Sequence, residues 1–242
     1  MPAPDDLLKQ KLGAISAGRV LDVATGHGEF VELLVQFLAG YEEIVGIDTS
    51  AKCLAGARTL AKHERVNFVE MDADRMIYPD AAFDTVALSN SLHHLRDMPH
   101  VLEEMRRVLK PGGRFIIQEM YQDNQSAPQM SHVMLHHWCA EIDRLRGECH
   151  DPTMTRAQIL GVIQGLNLSE TDIFDLDYTS EVSNDDKTRA WLERQIDKAL
   201  ELVPGKPERA DLIRQGAAVR QQIQTHGFAP ASRLFVIGRK PA

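Results

Sequence analysis

The sequence predicts an α/β fold in which helices cover both faces of a mostly parallel β-sheet. Short apolar runs of strand length alternate with segments whose apolar residues recur at helical spacing, an order typical of right-handed βαβ units. Hydrophobic residues make up 43% of the 242 positions, which is enough to bury a core. Ligands of such sheets bind beyond the carboxyl ends of the strands, so the residues that follow each strand form the candidate site.

Strands and helices alternate through the first half of the chain. The strands, predicted from short runs rich in apolar residues, are Arg19–Val23, Ile44–Asp48, Val66–Met71, Asp84–Ser89 and Arg114–Glu119. The helices are predicted over Glu29–Leu38, over Ala51–His63, and around Val101, Leu102, Met105, Val108 and Leu109. We expect the Lys110-Pro111-Gly112-Gly113 turn to end this third helix before the fifth strand.

Helical patterns dominate after about residue 125. The helices are predicted over His132–Arg146, over Thr155–Leu166 with Thr153 or Thr155 as cap, over about Asp185–Leu202 and over about Pro207–Thr225, the last two parted by Pro204-Gly205. Strands are predicted over Ile173–Tyr178 and Arg233–Ile237. We expect one domain over residues 1–242, with a core at 15–120 and an elaboration at about 125–230. The helices at 185–225 fit either a lid over the substrate or a dimer contact, so a homodimer is compatible with the sequence.

Charge and cysteine usage restrict the class of substrate and the compartment. The net charge of -8 disfavours a nucleic-acid substrate, because an acidic surface repels phosphate backbones. Three cysteines, an odd and sparse number, fit a reducing compartment. The first six residues lack the pattern of a signal peptide, and no apolar run approaches the roughly 18 residues that span a bilayer. We therefore expect a soluble cytoplasmic protein with a small-molecule substrate and no membrane insertion.

A glycine turn follows the first predicted strand, in Asp22-Val23-Ala24-Thr25-Gly26-His27-Gly28. Two glycines separated by one residue let the backbone turn tightly and let a ligand approach the main chain. The helix that follows offers N–H groups without intrahelical partners, which can face a ligand. A tight turn without a ligand explains the same pattern, so the motif is weak by itself.

Carboxylates follow the second and third predicted strands. Asp48 can accept hydrogen bonds from both hydroxyls of a ribose, and Asp72 can accept from an adenine amino group. The alternative for Asp48 is a helix N-cap, a role that Thr49 and Ser50 can share. Asp72 is likewise compatible with a loop or cap position, and the nearby Asp74 competes with it for the ligand role.

The fourth strand opens into small polar residues and histidines, in Ser89-Asn90-Ser91-Leu92-His93-His94. Backbone carbonyls at this position can hold an ammonium group, and a histidine can orient or deprotonate a substrate. The alternative for each histidine is a structural one, in which it packs under a helix and bonds a carbonyl group.

Taken together, these segments resemble the signatures of class I methyltransferases. Val20-Leu21-Asp22-Val23-Ala24-Thr25-Gly26-His27-Gly28 resembles the first signature and Val45-Gly46-Ile47-Asp48 the second. Met71-Asp72-Ala73 and Phe83-Asp84-Thr85-Val86 resemble the third and fourth, and Arg107–Gly113 resembles the turn before the fifth strand. The resemblance covers about residues 15–120 and is strongest to the ubiquinone/menaquinone-biosynthesis-like (type 11) group.

The resemblance implies a Rossmann-like, seven-stranded sheet whose last strand is antiparallel, with a helical insertion before that strand. It also implies that residues 15–120 bind S-adenosyl-L-methionine, with S-adenosyl-L-homocysteine as product. The implied cofactor contacts are Asp22, Ala24, Thr25, Gly26, Gly28, Asp48, Thr49, Asp72, Ala73, Ser89 and Asn90. Ala24-Thr25 departs from the commoner Gly-Cys pair, and no Asn-Pro-Pro-Tyr follows the fourth strand, which argues against methylation of nucleobase or glutamine amino groups.

Histidines and cysteines cluster at His132, His136, His137, Cys139, Cys149 and His150. Their spacing matches no familiar zinc pattern, so we predict no metal site. The sequence favours a substrate-pocket wall on this helix, and the alternative is a core-facing stripe of Met134, Trp138, Ile142 and Leu145.

The predicted activity is in-line transfer of a sulfonium methyl group to an O, C, N or S nucleophile of a small molecule. The candidate catalytic residues are His93, His94, His137 and Glu119, with His136 as a further candidate for the acceptor site. One alternative is an NAD-dependent dehydrogenase, but Gly26-x-Gly28 lacks the third glycine of that motif. A second alternative is a non-catalytic protein that binds S-adenosylmethionine.

Overall fold

A computed structural model describes residues 3–203 and 208–242 and divides them into two compact units. The first unit contains the described residues up to Glu119, together with Leu160–Leu176 and Leu234–Ala242. The second contains Met120–Ile159 and the described part of Asp177–Arg233. The predicted core at 15–120 and elaboration at about 125–230 stay predictions, and Leu160–Leu176 belongs to the first unit. That the whole chain acts as one methyltransferase domain stays a prediction.

The first unit is built on a seven-stranded sheet with the order β3-β2-β1-β4-β5-β7-β6. Its strands are β1 (Arg19–Val23), β2 (Glu43–Asp48), β3 (Val66–Glu70), β4 (Phe83–Ser89), β5 (Leu109–Met120), β6 (Ser169–Leu176) and β7 (Arg233–Arg239). Strands β3, β2, β1, β4 and β5 pair in parallel, so their carboxyl ends meet at one edge of the sheet. The predicted α/β class, with helices on both sides of a mostly parallel sheet, is confirmed.

Strand β7 runs antiparallel to both of its neighbours. Gly112 N donates to Lys240 O and Lys240 N donates to Gly113 O, so the end of β7 lies beside the start of β5. On the other side, Ser169 Oγ at the start of β6 donates to Arg239 O at the end of β7. The expectation of a last strand inserted antiparallel is therefore confirmed.

The helices, in chain order, are α1 (Pro4–Leu12), α2 (Glu29–Phe37), α3 (Ala51–Leu60), α4 (Met98–Val108), α5 (Ala127–Leu145), α6 (Arg156–Gly165), α7 (Asp186–Glu201) and α8 (Arg209–His226). Side chains that accept a hydrogen bond from the first turn begin several of them: Ser50 caps α3, Asp97 caps α4 and Asp185 caps α7. At α6, Thr155 Oγ1 accepts from Gln158 N, so Thr155 and not Thr153 is the cap.

Strand β5 corrects the sequence-based expectation of a turn. Lys110–Gly113, predicted to separate the third helix from the strand, lies inside β5, which begins at Leu109. Phe83 pairs with Leu109 but Thr85 pairs with Arg114, so the extra residues bulge out of the ladder with β4. The same residues pair instead with the end of β7, which no local pattern shows.

Several boundaries differ from the predictions for identifiable reasons. Helix α3 ends at Leu60 instead of His63, whose Nε2 lies 2.9 Å from Glu32 Oε1 on α2. Strand β6 begins at Ser169, before the predicted Ile173. The first residues of this edge strand are exposed and polar, so a search for apolar runs does not detect them. Helix α5 starts at Ala127, before the predicted His132, and α1 was not predicted. The predictions on Met1, Pro2, Pro204-Gly205 and Pro207 lie outside the described residues.

Three long helices, α5, α7 and α8, form the core of the second unit. Its buried apolar side chains are Trp138, Ile142, Leu192, Ile196, Val203, Leu212, Val219 and Ile223. The indole Nε1 of Trp138 donates to Leu212 O at 2.9 Å, and a Cβ at Gly216 would lie 3.0 Å from the same ring. Trp138 therefore joins α5 to α8. None of the helices within 3–203 and 208–242 combines the length and apolar character needed to cross a bilayer.

The two tryptophans of the chain allow a matched test of this packing. Trp138 is 3% exposed, whereas Trp191 on α7 is 51% exposed. Trp138→Phe removes a buried hydrogen bond and leaves a void, so we expect it to lower the free energy of unfolding by about 1–3 kcal/mol. Trp191→Phe should stay within about 0.5 kcal/mol of wild type. Urea unfolding followed by circular dichroism measures both, and equal effects would contradict the assignment of Trp138 to the core.

Candidate functional site

The loop between β1 and α2 has an unusual backbone at three positions. Ala24, Gly26 and Gly28 all have positive φ, of 52°, 54° and 85°. A Cβ on Gly28 would lie 3.1 Å from Ala57 Cβ, so packing against α3 requires this glycine. A Cβ on Gly26 would meet nothing within 4 Å, so open space lies over this part of the main chain. Ala24 adopts the left-handed conformation at a cost of roughly 1 kcal/mol. Class I methyltransferases, which the sequence resembles, commonly have glycine at this position.

Asp48, at the end of β2, fixes this loop. Its Oδ2 accepts from Gly26 N at 2.9 Å, and its Oδ1 accepts from Ser50 N at 2.8 Å. The cap of α3 is Ser50, whose Oγ accepts from Cys53 N, so the alternative of Asp48 as the N-cap is not what the structure shows. Each carboxylate oxygen keeps a second lone pair, which leaves capacity for ribose hydroxyls. Thr49, beside it, is exposed.

Asp22 and Thr25 place orphaned polar atoms beside the same loop. Asp22 is only 1% exposed, and among the described residues neither its Oδ2 nor Thr25 Oγ1 has a hydrogen-bond partner. Burial raises the pKa of Asp22 to about 7; the neighbouring Thr25 hydroxyl opposes this rise, and the charge of Asp48 adds a smaller one. Buried polar atoms are normally paired, so these two are candidates to meet a ligand that brings its own donors.

Asp72 follows β3 and is exposed. Its Oδ1 accepts from Asp74 N at 3.0 Å and so caps the single helical turn Ala73–Arg75. The cap role that the sequence left open is therefore present. The predicted contact of Asp72 and Ala73 with an adenine stays a prediction.

The end of β4 is tied both to β5 and to the glycine loop. Asn90 has φ 46°, and its N–H donates to Gln118 O at 2.8 Å. Gln118 Nε2 donates to Ser89 Oγ at 2.9 Å. Ser91 Oγ lies 2.7 Å from Ser89 O and 3.3 Å from Ala24 O. The sequence analysis did not assign a role to Gln118, although it is the register partner of Ser89, which aligning the ends of β4 and β5 would have shown.

His93 and Glu119 form a buried pair at the ends of β4 and β5. His93 Nδ1 lies 2.6 Å from Glu119 Oε1, and the two side chains are 1% and 0% exposed. The other carboxylate oxygen, Oε2, accepts from Ser91 N at 3.0 Å and from Leu92 N at 3.1 Å. Glu119 therefore has contacts at both oxygens, and Oε1 holds the ring of His93. With Nδ1 donating to it, His93 carries its lone pair on Nε2. His94 is exposed, with its ring centroid 4.4 Å from that of His93.

The other candidate histidines belong to the second unit. His137 Nε2 accepts from Thr153 N at 3.2 Å and lies 2.8 Å from Thr153 Oγ1. A neutral imidazole has a single lone pair, so these contacts make His137 a poorer base than His93 or His94. His136 Nε2 lies 3.0 Å from His150 Nε2. The grouping of His136 or His137 with His93, His94 and Glu119 in one acceptor site stays a prediction.

The strand order and the site at its carboxyl edge define the Rossmann-like fold of class I methyltransferases. Residues 21–117 match the family model described as a methyltransferase domain. The segment runs from within β1 to within β5 and includes all the predicted cofactor contacts.

The curated relatives that resemble this chain are also named as methyltransferases. A demethylmenaquinone methyltransferase of Deinococcus radiodurans is 45% identical over 109 residues, covering 44% of either chain. A 2-phytyl-1,4-naphtoquinone methyltransferase of Synechococcus elongatus is 34% identical over 125 residues, covering 50% of this chain and 54% of the relative. The chain thus spans about half the length of the curated relatives it matches.

Solved structures extend the likeness in fold to nearly the whole chain. A phosphoethanolamine N-methyltransferase of Haemonchus contortus, in complex with phosphomonomethylethanolamine and S-adenosylhomocysteine, is 17% identical with a TM-score of 0.58. The alignment covers 98% of this chain and 52% of that one. At this identity the likeness shows the fold alone.

The protonation of Asp22 leads to a pH-dependent prediction. Its pKa in the folded chain lies above the ordinary value of 3.8, so the folded state binds the proton more tightly. The contribution of Asp22 to stability is therefore fully present below about pH 4, falls as the pH rises to 7, and stays low above it. We expect Asp22→Asn to raise the Tm of the cofactor-free protein at pH 8 by the equivalent of a few kcal/mol, on the order of the shift itself, and to change it little near pH 4.

Asp84→Asn is the matched control, and the change in Tm that we expect for it at pH 8 has the opposite sign. Partial burial raises the pKa of Asp84, but hydrogen bonds from Lys110 Nζ and Arg19 N outweigh it, so the pKa lies below the usual value. Loss of this carboxylate should lower the Tm at pH 8 and at pH 5. Thermal melts followed by circular dichroism measure both variants. A Tm for Asp22→Asn that is unchanged at pH 8 would show that Asp22 is charged at no cost in the folded chain.

Proposed function

We propose that the chain is an S-adenosylmethionine-dependent methyltransferase that acts on a small molecule in the cytoplasm. The observation that carries the proposal is the loop Ala24–Gly28, where open space lies over Gly26 and where the buried Asp22 Oδ2 and Thr25 Oγ1 have no hydrogen-bond partner among the described residues. The family of residues 21–117 favours this reaction over an NAD-dependent dehydrogenase and over a non-catalytic binding protein. Three cysteines, an odd and sparse number, fit the reducing cytoplasm.

The donors and acceptors of the site fit S-adenosylmethionine. Asp48 would receive the ribose hydroxyls on its remaining lone pairs, and the main chain at Gly26 leaves room for the ligand to approach. The orphaned Asp22 Oδ2 and Thr25 Oγ1 would gain partners from a ligand that carries ammonium and hydroxyl donors. Asp72, Ala73, Ser89 and Asn90 complete the proposed contacts. These assignments rest on the same strand-end positions that the sequence predicted.

When bound, the cofactor supplies a methyl group already activated as a sulfonium. The task of the chain is then to hold the acceptor in line and to exclude water. Glu119 fixes the ring of His93, so that Nε2 can accept a proton from a hydroxyl acceptor. Burial of this pair keeps the proton transfer away from water. We propose His93 as the base, with Glu119 as its positioning residue and His94 as the second candidate.

A small molecule is the proposed acceptor. The net charge of -8 disfavours nucleic acid, and the curated relatives are named for quinone-type substrates. Phenols and quinol precursors are therefore the first acceptors to test, followed by amines and thiols. The proposal leaves the accepting atom open among O, C, N and S. We also propose that the chain can form a homodimer, because the helices at 185–225 fit a dimer contact as well as a lid.

Isothermal titration calorimetry tests the cofactor assignment. We expect S-adenosylhomocysteine to bind and NAD to give no heat. Asp48→Ala should weaken S-adenosylhomocysteine binding by about 1.5–3 kcal/mol, because it removes hydrogen bonds to a charged group. Binding of NAD with none of S-adenosylhomocysteine would overturn the proposal.

Asp48 could affect binding by contacting the ribose or by accepting the hydrogen bond from Gly26 N that holds the loop. Two further variants separate these two effects. Gly26→Ala fills the open space while leaving Asp48 in place, so it should abolish most of the affinity at a stability cost of roughly 1–2 kcal/mol. Asp80→Ala removes an exposed carboxylate that pairs with Arg107 and should leave the affinity unchanged. A well-folded Asp48→Ala that binds as wild type would reject the ribose role.

A tritiated-methyl transfer assay tests the catalytic pair, once an acceptor is found in the panel of phenols, quinol precursors, amines and thiols. Glu119→Gln presents an amide N–H to His93 Nδ1 and so moves the lone pair away from Nε2. We expect kcat to fall by roughly 10²–10⁴-fold in His93→Ala and in Glu119→Gln, with little change in KM for the cofactor. A single base must be neutral to accept a proton, so the pH profile of the wild type is compared with that of each variant.

The control is His63→Ala, which removes a half-buried histidine paired with Glu32 and should keep wild-type turnover. Circular dichroism checks that the buried substitutions still fold. If His93→Ala and His94→Ala both keep full turnover and the wild-type pH profile, no histidine after β4 is the base. If the folded protein binds the cofactor but transfers no methyl group to any acceptor in the panel, the result favours the alternative of a non-catalytic protein that binds S-adenosylmethionine.

A further inference from the structure

Helix α5 carries a polar stripe that the proposed methyl transfer does not use. His132, His136, Cys139 and Asp143 recur along one side of the helix at spacings of three and four residues, which places them on a common face. The loop that follows α5 brings His150 back against this stripe. His150 is buried, at 6% exposure, and lies within the second unit with the rest of the stripe.

His150 is held from three sides by α5. Its Nδ1 lies 2.8 Å from Asp143 Oδ2, and its carbonyl oxygen accepts from Arg144 at 2.9 Å. Its Nε2 lies 3.0 Å from His136 Nε2. Because Nδ1 donates to the carboxylate, the lone pair of His150 is on Nε2 and points at His136.

The other two histidines of α5 use their lone pairs differently. His132 Nδ1 accepts from Ala231 N at 2.9 Å, and His137 Nε2 accepts from Thr153 N at 3.2 Å. Each neutral imidazole has one lone pair, so a backbone N–H already takes it in both residues. Burial, assisted by the charge of Arg233, lowers the pKa of His132 to about 4, which keeps that ring neutral. Among the four histidines of α5 and the loop after it, His136 and His150 turn ring nitrogens toward each other.

Two imidazole nitrogens in this arrangement need a proton or a metal ion between them, because two lone pairs repel. A tetrahedral metal with bonds of about 2.0–2.1 Å to each nitrogen holds the two nitrogens about 3.3 Å apart. The observed 3.0 Å is the length of an N–H···N hydrogen bond, so a shared proton fits it, and a metal ion would need the two nitrogens to part by only a few tenths of an ångström. A carboxylate on the opposite ring nitrogen is the partner that metal-ligating histidines usually have.

We propose that His136 Nε2 and His150 Nε2 bind a divalent transition-metal ion such as Zn²⁺, with Asp143 orienting His150. Imidazole donors suit Zn²⁺, Co²⁺ and Ni²⁺ better than Mg²⁺ or Ca²⁺. Cys139 is not a ligand in this proposal, because burial and the nearby Asp143 raise the pKa of its thiol to about 11. No metal was predicted here from the sequence, because the spacing of the clustered histidines and cysteines matches no familiar zinc pattern.

The test uses the full chain without a histidine tag, treated with a chelator and exchanged into metal-free buffer. Calorimetric titration with Zn²⁺, and the visible spectrum with Co²⁺, measure the affinity and the nitrogen ligation. We expect one ion per chain for the wild type. His136→Ala and His150→Ala should weaken binding at least tenfold, and Asp143→Asn should weaken it by roughly 10–100-fold, the range for loss of an orienting partner.

His132→Ala and His137→Ala are the matched controls, since they remove histidines of the same helix whose lone pairs are already used. They should keep the wild-type affinity for Zn²⁺. The proposal is overturned if the wild type binds no Zn²⁺, in which case the two rings share a proton, or if His136→Ala binds as tightly as wild type. Calorimetry with S-adenosylhomocysteine on the wild type runs in parallel, so failure of the metal site and failure of the methyltransferase proposal give different results.

Discussion

The site depends on two carboxylates that satisfy backbone N–H groups at the carboxyl ends of parallel strands. Chain leaving such a strand turns sharply, and its N–H groups then have no ladder partner. Asp48 accepts from Gly26 N and Ser50 N, and Glu119 accepts from Ser91 N and Leu92 N. Each carboxylate thus holds a loop that belongs to a neighbouring strand, and the loops after β1 and β4 take their shapes from them.

These bonds explain why the chain tolerates backbone strain at the same edge. Ala24 and Asn90 both have positive φ, which costs a non-glycine residue free energy unless its surroundings fix it. Ser91 Oγ contacts Ala24 O, and Asn90 N donates to Gln118 O, so both strained residues lie within the hydrogen-bonded network. Within the part of the chain that the structure describes, Asp22 Oδ2 and Thr25 Oγ1 have no hydrogen-bond partner. The hydrogen bonds hold the loop in place, and a ligand with its own donors could pair with the two buried atoms. This arrangement is consistent with the proposed cofactor site.

The second unit uses its histidines in a different way. Its helices pack around Trp138, and this packing sets the direction in which the polar face of α5 points. Backbone N–H groups from Ala231 and Thr153 take the lone pairs of His132 and His137, whereas the loop after α5 turns His150 toward His136. Four similar residues therefore acquire two different chemical roles. The distinction comes from loops that return to the helix and not from the helix itself.

The sequence by itself determined the α/β class, β1 to β4 and the strand-end positions of Asp48, Asp72 and the glycine loop, because these follow from local periodicity and short spacing. Only the tertiary structure decided the extent of β5, where Lys110–Gly113 pairs with the end of β7, more than a hundred residues away in sequence. It also decided that Ser50 and not Asp48 caps α3, that Glu119 holds His93, and that His150 meets His136. A periodic pattern reports which face of an element is buried, whereas the partner of a polar atom depends on which distant segment folds against it.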